Sequence, residues 1–235
     1  RRIAGILARL GLKGSRSSVQ RIFRRPPKRP AKKDRVSRPL PRAKAPRHMY
    51  VIDFTVLRGM FRSVVVGAVM DLFSRRVLAI RVSPQEPDAA FAVSLLRTAV
   101  RRNGKPRWIV SDRGRQFSSR LFGALLKRRR IRRRWGPVGR PGAPTLDRWW
   151  RTLKEEYARG LMLYLPIASL ERKLSGYAAW YNVERPNSGL CLRTPEEIFR
   201  GTPARKKRRV EAGKLVVALM GGDRRLPVFR LRRAA

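Results

Sequence analysis

Across 235 residues, 58 Lys and Arg stand against 15 Asp and Glu, a formal net charge of +43, while 43% of the residues are apolar. That apolar share suffices for a buried core, so the chain is not simply a disordered polycation; a field of this sign calls for a polyanion, and nucleic acid is the ordinary one. Cys191 and His48 are each the only residue of their type, which excludes an internal disulfide, fits a reducing compartment and leaves a His-based zinc site or a Ser-His-Asp triad with a single ring.

The charge is unevenly spread. Residues 1–47 hold 17 Lys or Arg against one acid, residues 48–200 hold 30 against 12, and residues 201–235 hold 11 against two. The pattern predicts a folded core between two basic arms. No run of about 18 apolar residues occurs, so no membrane-spanning helix is expected. The chain starts at Arg1 without an initiator Met and is read as a fragment, or as a frame that begins upstream. Arg9 and helical spacing argue against a signal peptide at its start.

In the first arm, Ile3, Ile6, Leu7 and Leu10 follow the spacing of an amphipathic helix that should stop near Gly11. Ser15 or Ser17 can cap a second helix bearing Arg16 and Arg21, with Val19, Ile22 and Phe23 facing the first. Two short helices joined by a Gly-containing turn read as a partial helix-turn-helix over residues 1–24; a plain basic helical hairpin is the alternative. Residues 25–47 carry six prolines and no periodicity, which predicts an extended cationic linker.

From residue 48 the pattern becomes that of a mixed α/β domain. MYVIDFTV, RSVVVGAVMD and RRVLAIRV read as successive strands, PDAAFAVSLLRTAVRR as a helix with Phe91, Leu95, Thr98 and Ala99 on one stripe, and PRWIVSD as a further strand. A helix (SSRLFGALLKRR), a short strand (IRRRW), a Gly/Pro loop and a helix opening at Asp147 follow. In that last helix Leu146, Trp150, Leu153 and Tyr157 should face the core, with Asp147, Arg151 and Lys154 on a neighbouring face. The tail over residues 201–235, with KLVVALMGG and RLPVFRLRR, allows a small β element.

Acids are scarce between residues 48 and 147, only six in number, so their placement carries information. Asp53 lies inside an apolar strand, where an unpaired charge is costly. Asp112 ends a strand, the place where open α/β sheets build sites. Three converging carboxylates would repel one another unless cations sat between them, and hard divalent ions suit oxygen ligands. Read singly, each acid has an ordinary explanation: a strand-end Asp forms turns, and Asp147 is a natural acid for a helix N-terminus.

HMYVIDFT, MDLFSRRVLA, EPDAA, GKPRWIVSDRGRQF, DRWWRTLKEE, YNVERPNSGL and RTPEEIF follow one another in the order found in bacterial insertion-sequence transposases. Over roughly residues 48–200 the chain resembles that family, whose catalytic core is of the retroviral-integrase (DDE, RNase H-like) type. The resemblance implies an RNase H-like five-stranded mixed sheet flanked by helices, with three antiparallel strands and two parallel ones. Its first and fourth strands would be neighbours, setting Asp53 beside Asp112. It further implies that Asp53, Asp112 and Asp147 are the catalytic, metal-binding acids, with Asp147 standing where the family has Glu. That side chain is shorter by about 1.5 Å, and one residue of the preceding loop is missing relative to the family.

Two Mg²⁺ or Mn²⁺ ions, phosphodiester cleavage and strand transfer on double-stranded DNA (element ends and target), a homo-oligomer on that DNA and a bacterial cytoplasmic setting at the nucleoid are the corresponding expectations. Arg151 and Lys154, with Arg16 and Arg21 in the arm, are the expected DNA contacts. Asp71 and Arg75 should pin a hairpin, and His48 should make a structural hydrogen bond. Asn187 replaces a commonly found His. The alternative function is a DNA-binding protein that keeps the fold without the chemistry.

Overall fold

The computed structural model describes residues 6, 9, 42–58, 62–136, 144–158, 165–203 and 213–233. Of the expected helix-turn-helix only Ile6 and Arg9 fall within them, both helical; Arg16, Arg21 and most of the basic linker lie outside. Two compact units divide the chain, Ser37–Ala179 and Trp180–Ala235 with Arg1–Val36.

Strands β1 (Met49–Arg58), β2 (Ser63–Asp71), β3 (Val77–Ser83), β4 (Trp108–Ser111) and β5 (Arg132–Trp135) form one sheet in the order β3-β2-β1-β4-β5. The first three are antiparallel, and β4 and β5 run parallel to β1, as the resemblance implied. β1 is central, and Met49 through Asp53 are buried without a break. That burial requires cover on both faces.

On one face, helix α1 (Ala89–Asn103) packs over β2 and β3. It is capped by Asp88, whose carboxylate accepts the Phe91 N–H at 2.7 Å. The approach is close at Gly67, where a Cβ would lie 2.8 Å from Leu95 Cδ2 and 2.9 Å from the Phe54 ring. Its buried stripe is Ala92, Val93, Leu95, Leu96 and Ala99, rotated slightly from the one expected, so that Phe91 and Thr98 are half-buried. After β4 a short helix that was not expected, α2 (Arg115–Ser118), precedes the expected one, which forms as α3 (Arg120–Arg129). Extended backbone at Ser119 separates them, and its side chain caps the second by accepting from Phe122 N–H. Phe54, Phe91, Phe117 and Phe122 stack in a chain on this face, with centroids 5.0–5.6 Å apart.

The remaining helices carry a second aromatic group. Helix α4 (Pro144–Leu153) starts three residues before Asp147, with Pro at its first position, and continues as a π-helical turn, Lys154–Ala158. Leu146, Trp150, Leu153 and Tyr157 are buried as the spacing predicted, and so is Trp149. Trp149 lies 4.7 Å from Trp150 and 6.4 Å from Tyr177, which stacks on Tyr157 at 4.8 Å. Tyr177 belongs to helix α5 (Ile167–Val183), whose Glu171 accepts the Val82 N–H at 2.8 Å. That acid occupies a donor the edge strand β3 would otherwise leave open.

In the second unit, helix α6 (Pro195–Phe199) is closed by a Thr194–Glu197 capping box, and Arg9 forks onto Glu197 with both contacts at 3.0 Å. The tail does form β structure, an antiparallel pair β6 (Gly213–Leu219) and β7 (Pro227–Arg233). Trp180 Nε1 donates to Pro227 O, and Arg230 pairs in a fork with Glu184. Asn187 caps a 3₁₀ turn (Ser188–Leu190) and donates to the Tyr181 hydroxyl. No helix among the described residues is long and apolar enough to cross a membrane.

Candidate active site on β1 and β4

The parallel register of β1 and β4 pairs Met49 with Trp108, Tyr50 with Ile109 and Val51 with Val110. Asp53 and Asp112 each stand two residues past that last pair, so they occupy the same step on adjoining strands. Alternation along β1 turns Phe54 to the Phe91 and Phe117 side and Asp53 to the opposite one. There Trp150 Nε1, from α4, donates to Asp53 Oδ2 at 3.1 Å.

Asp53 is 6% exposed. Its pKa is raised from 3.8 to about 6, chiefly by burial and in smaller part by the charges of Asp112 and Asp147, against the hydrogen bonds from Phe54 N–H and Trp150. Asp147, half-buried in the first turn of α4, is also raised by burial, with Arg151 opposing. Asp112 follows the strand as a turn former: its Oδ1 accepts the Gly114 N–H at 2.9 Å, and a Cβ on Gly114 would sit 3.0 Å from that oxygen. Among the described residues no cation forms an ion pair with any of the three.

These acids are hard oxygen donors that none of the described cations pairs with directly, although Arg151 and Lys154 act on Asp147 and Asp53 electrostatically, and such a donor set fits a divalent ion of the Mg²⁺ class. They are close enough to act on one another electrostatically. Among the described residues, however, no three acidic, His or Cys side chains gather tightly enough to form a ready metal-ligand cluster.

Lys154, in the π-helical turn, is half-buried and donates to Thr55 Oγ1 at 2.7 Å. Burial and Arg58 lower its pKa, while Asp53 raises it. Arg151, one turn before, is exposed. Thr55 and the indole of Trp150 are the two groups sequence reading did not assign to the site. Thr55 was legible, since it shares a strand face with Asp53 two residues away; the Trp150 contact was not, since it depends on how α4 docks.

The remaining expectations concern structure. Asp71 is fully buried; its Oδ1 accepts Ser74 N–H and Oγ at 2.7 Å, and Oδ2 accepts Arg47 N–H at 2.8 Å. It pins the β2–β3 hairpin, in which Arg75 takes positive φ and donates its N–H to Asp71 O. His48 Nδ1 accepts the Lys44 N–H.

Residues 43–141 match the family model described as integrase core domain, a span that stops short of Asp147. Among solved structures, the chain is similar to the HTLV-2 integrase catalytic core domain in complex with magnesium, at 20% identity and TM-score 0.54, covering 67% of this chain and 99% of that one. It is likewise similar to a chain of the simian T-cell lymphotropic virus intasome in complex with PP2A regulatory subunit B56 gamma, at 21% identity and TM-score 0.59, over 80% of this chain and 69% of that one. The BIV integrase catalytic core matches at 21% identity and TM-score 0.53, over 66% and 95%. No curated protein matches in sequence. The fold is therefore that of an integrase catalytic core, RNase H-like in its sheet order.

Proposed function

We propose that this chain, with its integrase-type core, is a DNA transposase or integrase that cuts a phosphodiester and transfers the freed 3′-hydroxyl to target DNA. The observation that carries this reading is the equivalent placement of Asp53 and Asp112 on adjoining strands, with Asp53 buried, raised and in no ion pair among the described residues. Asp53 and Asp112 would hold a divalent ion, with Asp147 completing the set; magnesium in the HTLV-2 core supports that choice. When bound, the ion would supply activation of the attacking water or 3′-hydroxyl and neutralisation of the leaving oxygen.

The protein's own groups do the rest. Trp150 orients Asp53 and favours its ionised form by donating to it. Lys154, held by Thr55 near Asp53, meets the phosphate beside the scissile bond, and exposed Arg151 meets one further out. Like the chains of an intasome, copies of the protein would act together on paired DNA ends.

A second reading, a DNA-binding protein that keeps the fold without the chemistry, is favoured by the ungathered carboxylates and the short Asp147. One experiment separates the two. The protein is incubated with Mn²⁺ and an oligonucleotide bearing an element end, and nicking and joining are followed on a gel. Nicking that disappears in Asp112→Asn supports the enzyme, and nicking that survives it overturns the site. A silent native chain that gains activity as Asp147→Glu establishes the second reading.

A further inference from the structure

One concave feature of the core lies away from the carboxylates. A cleft of about 630 Å³ lies between α1 and α3, lined by Ser94, Arg97, Thr98, Arg101, Lys105 and Arg129 among others. Ser94, Arg97, Thr98 and Arg101 are spaced i, i+3, i+4, i+7, one continuous stripe of α1 beside its core stripe. All four cations are exposed, and among the described residues none forms an ion pair. No acid lines the cleft.

Helix dipoles explain part of this pattern: Arg101 and Arg129 lie in the last turns of α1 and α3, where cations are favourable. Arg97 stands well before the end of α1, outside the reach of that effect. Four like charges converging on one concavity repel one another, so the arrangement is costly without an anion. A second copy docked symmetrically would set these cations against themselves, which disfavours self-association here. Arg97 and Arg101 are one turn apart, about 6 Å along the axis, a spacing that lets them address two phosphates of one strand.

The cleft also faces away from the candidate active site. Phe54 packs under α1 through Phe91, whereas Asp53, its neighbour on β1, points to α4 on the other side of the sheet. We infer that the α1/α3 cleft is a second DNA-backbone site, which holds a stretch of duplex different from the one presented to the carboxylates. This deepens the proposed function by giving the core two DNA-contacting faces, and it rests on that reading only for which DNA is held.

The test is equilibrium binding of the full chain to a random-sequence duplex as salt is varied, by fluorescence anisotropy. Arg97→Ala/Arg101→Ala is compared with Arg172→Ala/Lys173→Ala, an equal loss of charge at exposed positions of α5. Two lost phosphate contacts should flatten the slope of log K against log salt by about 2 and weaken binding at least tenfold near 0.1 M; the control pair should change the slope by under about 0.5. Equal slopes for the two pairs overturn the site, as does a cleft variant that changes only the oligomeric state in sedimentation. Binding needs no chemistry, so a failure of the nicking assay leaves this result readable, and the two inferences fail separately.

Discussion

Two aspartates on adjacent strands, Asp53 on β1 and Asp71 on β2, are buried to similar depth, 6% and 0% exposed. Burial raises both carboxyl groups. They differ in what surrounds them. Asp71 receives two hydrogen bonds from Ser74 and one from the Arg47 backbone, which nearly fills its acceptor capacity and leaves it with a turn to hold. Asp53 receives one bond from the Trp150 indole and one from the Phe54 backbone, and faces the charges of two other acids. Depth alone therefore does not mark a reactive carboxylate. Unfilled acceptor capacity directed at other acids does, because only an external cation can complete it.

The largest expected effect tests that contrast directly. Asp53→Asn and Asp112→Asn should each lower nicking by about 10³-fold or more, in line with loss of a group acting on the reacting atoms. Asp71→Asn should retain the rate per folded molecule. Full loss in Asp71→Asn with unchanged folding would mean that the two aspartates are not separable into chemistry and structure.

Next in size is the folding cost at the other pole. Asn cannot accept through its amide nitrogen, so Asp71→Asn leaves either Ser74 or the Arg47 N–H unpaired inside the protein, a penalty of about 2–4 kcal/mol. Urea unfolding measures it, and a change within about 0.5 kcal/mol would remove Asp71 from the hairpin's supports.

A third effect has the opposite sign. A carboxyl raised from 3.8 to about 6 contributes its stability below the unfolded value and loses it as pH rises through the folded one. At pH 7.5 without divalent ions, ionised Asp53 therefore destabilises the core, by about 2–3 kcal/mol for a shift of that size. Asp53→Asn should accordingly melt higher than the native chain at pH 7.5, with the gap closing toward pH 4. Added Mn²⁺ should raise the melting temperature of the native chain and leave that of the variant in place. A variant that melts lower at pH 7.5 would show that Asp53 is already compensated.

How much of this was legible in the residues varies by element. Strand alternation around Asp53 and the place of Asp112 at a strand end are visible in VIDFT and WIVSD, but the adjacency of β1 and β4 is a long-range pairing and came from the resemblance. Asp71 as a hairpin pin follows from DLFSRR, a short-range turn. The Ser pair marks the start of α3 in the residues, with Ser119 as its cap, whereas α2 is a single turn, too short to show a helical period. The start of α4 at Pro144 was passed over for the more conspicuous Asp147. The π-helical turn that follows, Lys154–Ala158, has no sequence signature of its own, although Tyr157 within it is buried as the spacing implied. Electrostatic surroundings were the least legible: Lys154 could be placed on a face, but not against Thr55.

The smallest effect is the most specific to the site's construction. Trp150→Phe removes the indole N–H that favours the ionised form of Asp53 while keeping an aromatic ring against Trp149. With that donor gone the carboxyl should titrate higher still. The acid limb of the melting temperature measured without divalent ions, set by Asp53 near pH 6, should then move up by about half a unit to one unit, while the Mn²⁺-supported nicking rate above pH 8 stays within about threefold of native. Loss of packing alone would lower the melting temperature by the same amount at every pH, because a smaller ring in the aromatic group leaves the proton affinity of Asp53 where it was. A limb that stays in place, with a uniformly lower plateau, would assign Trp150 to the core and leave Asp53 to ionise without its help.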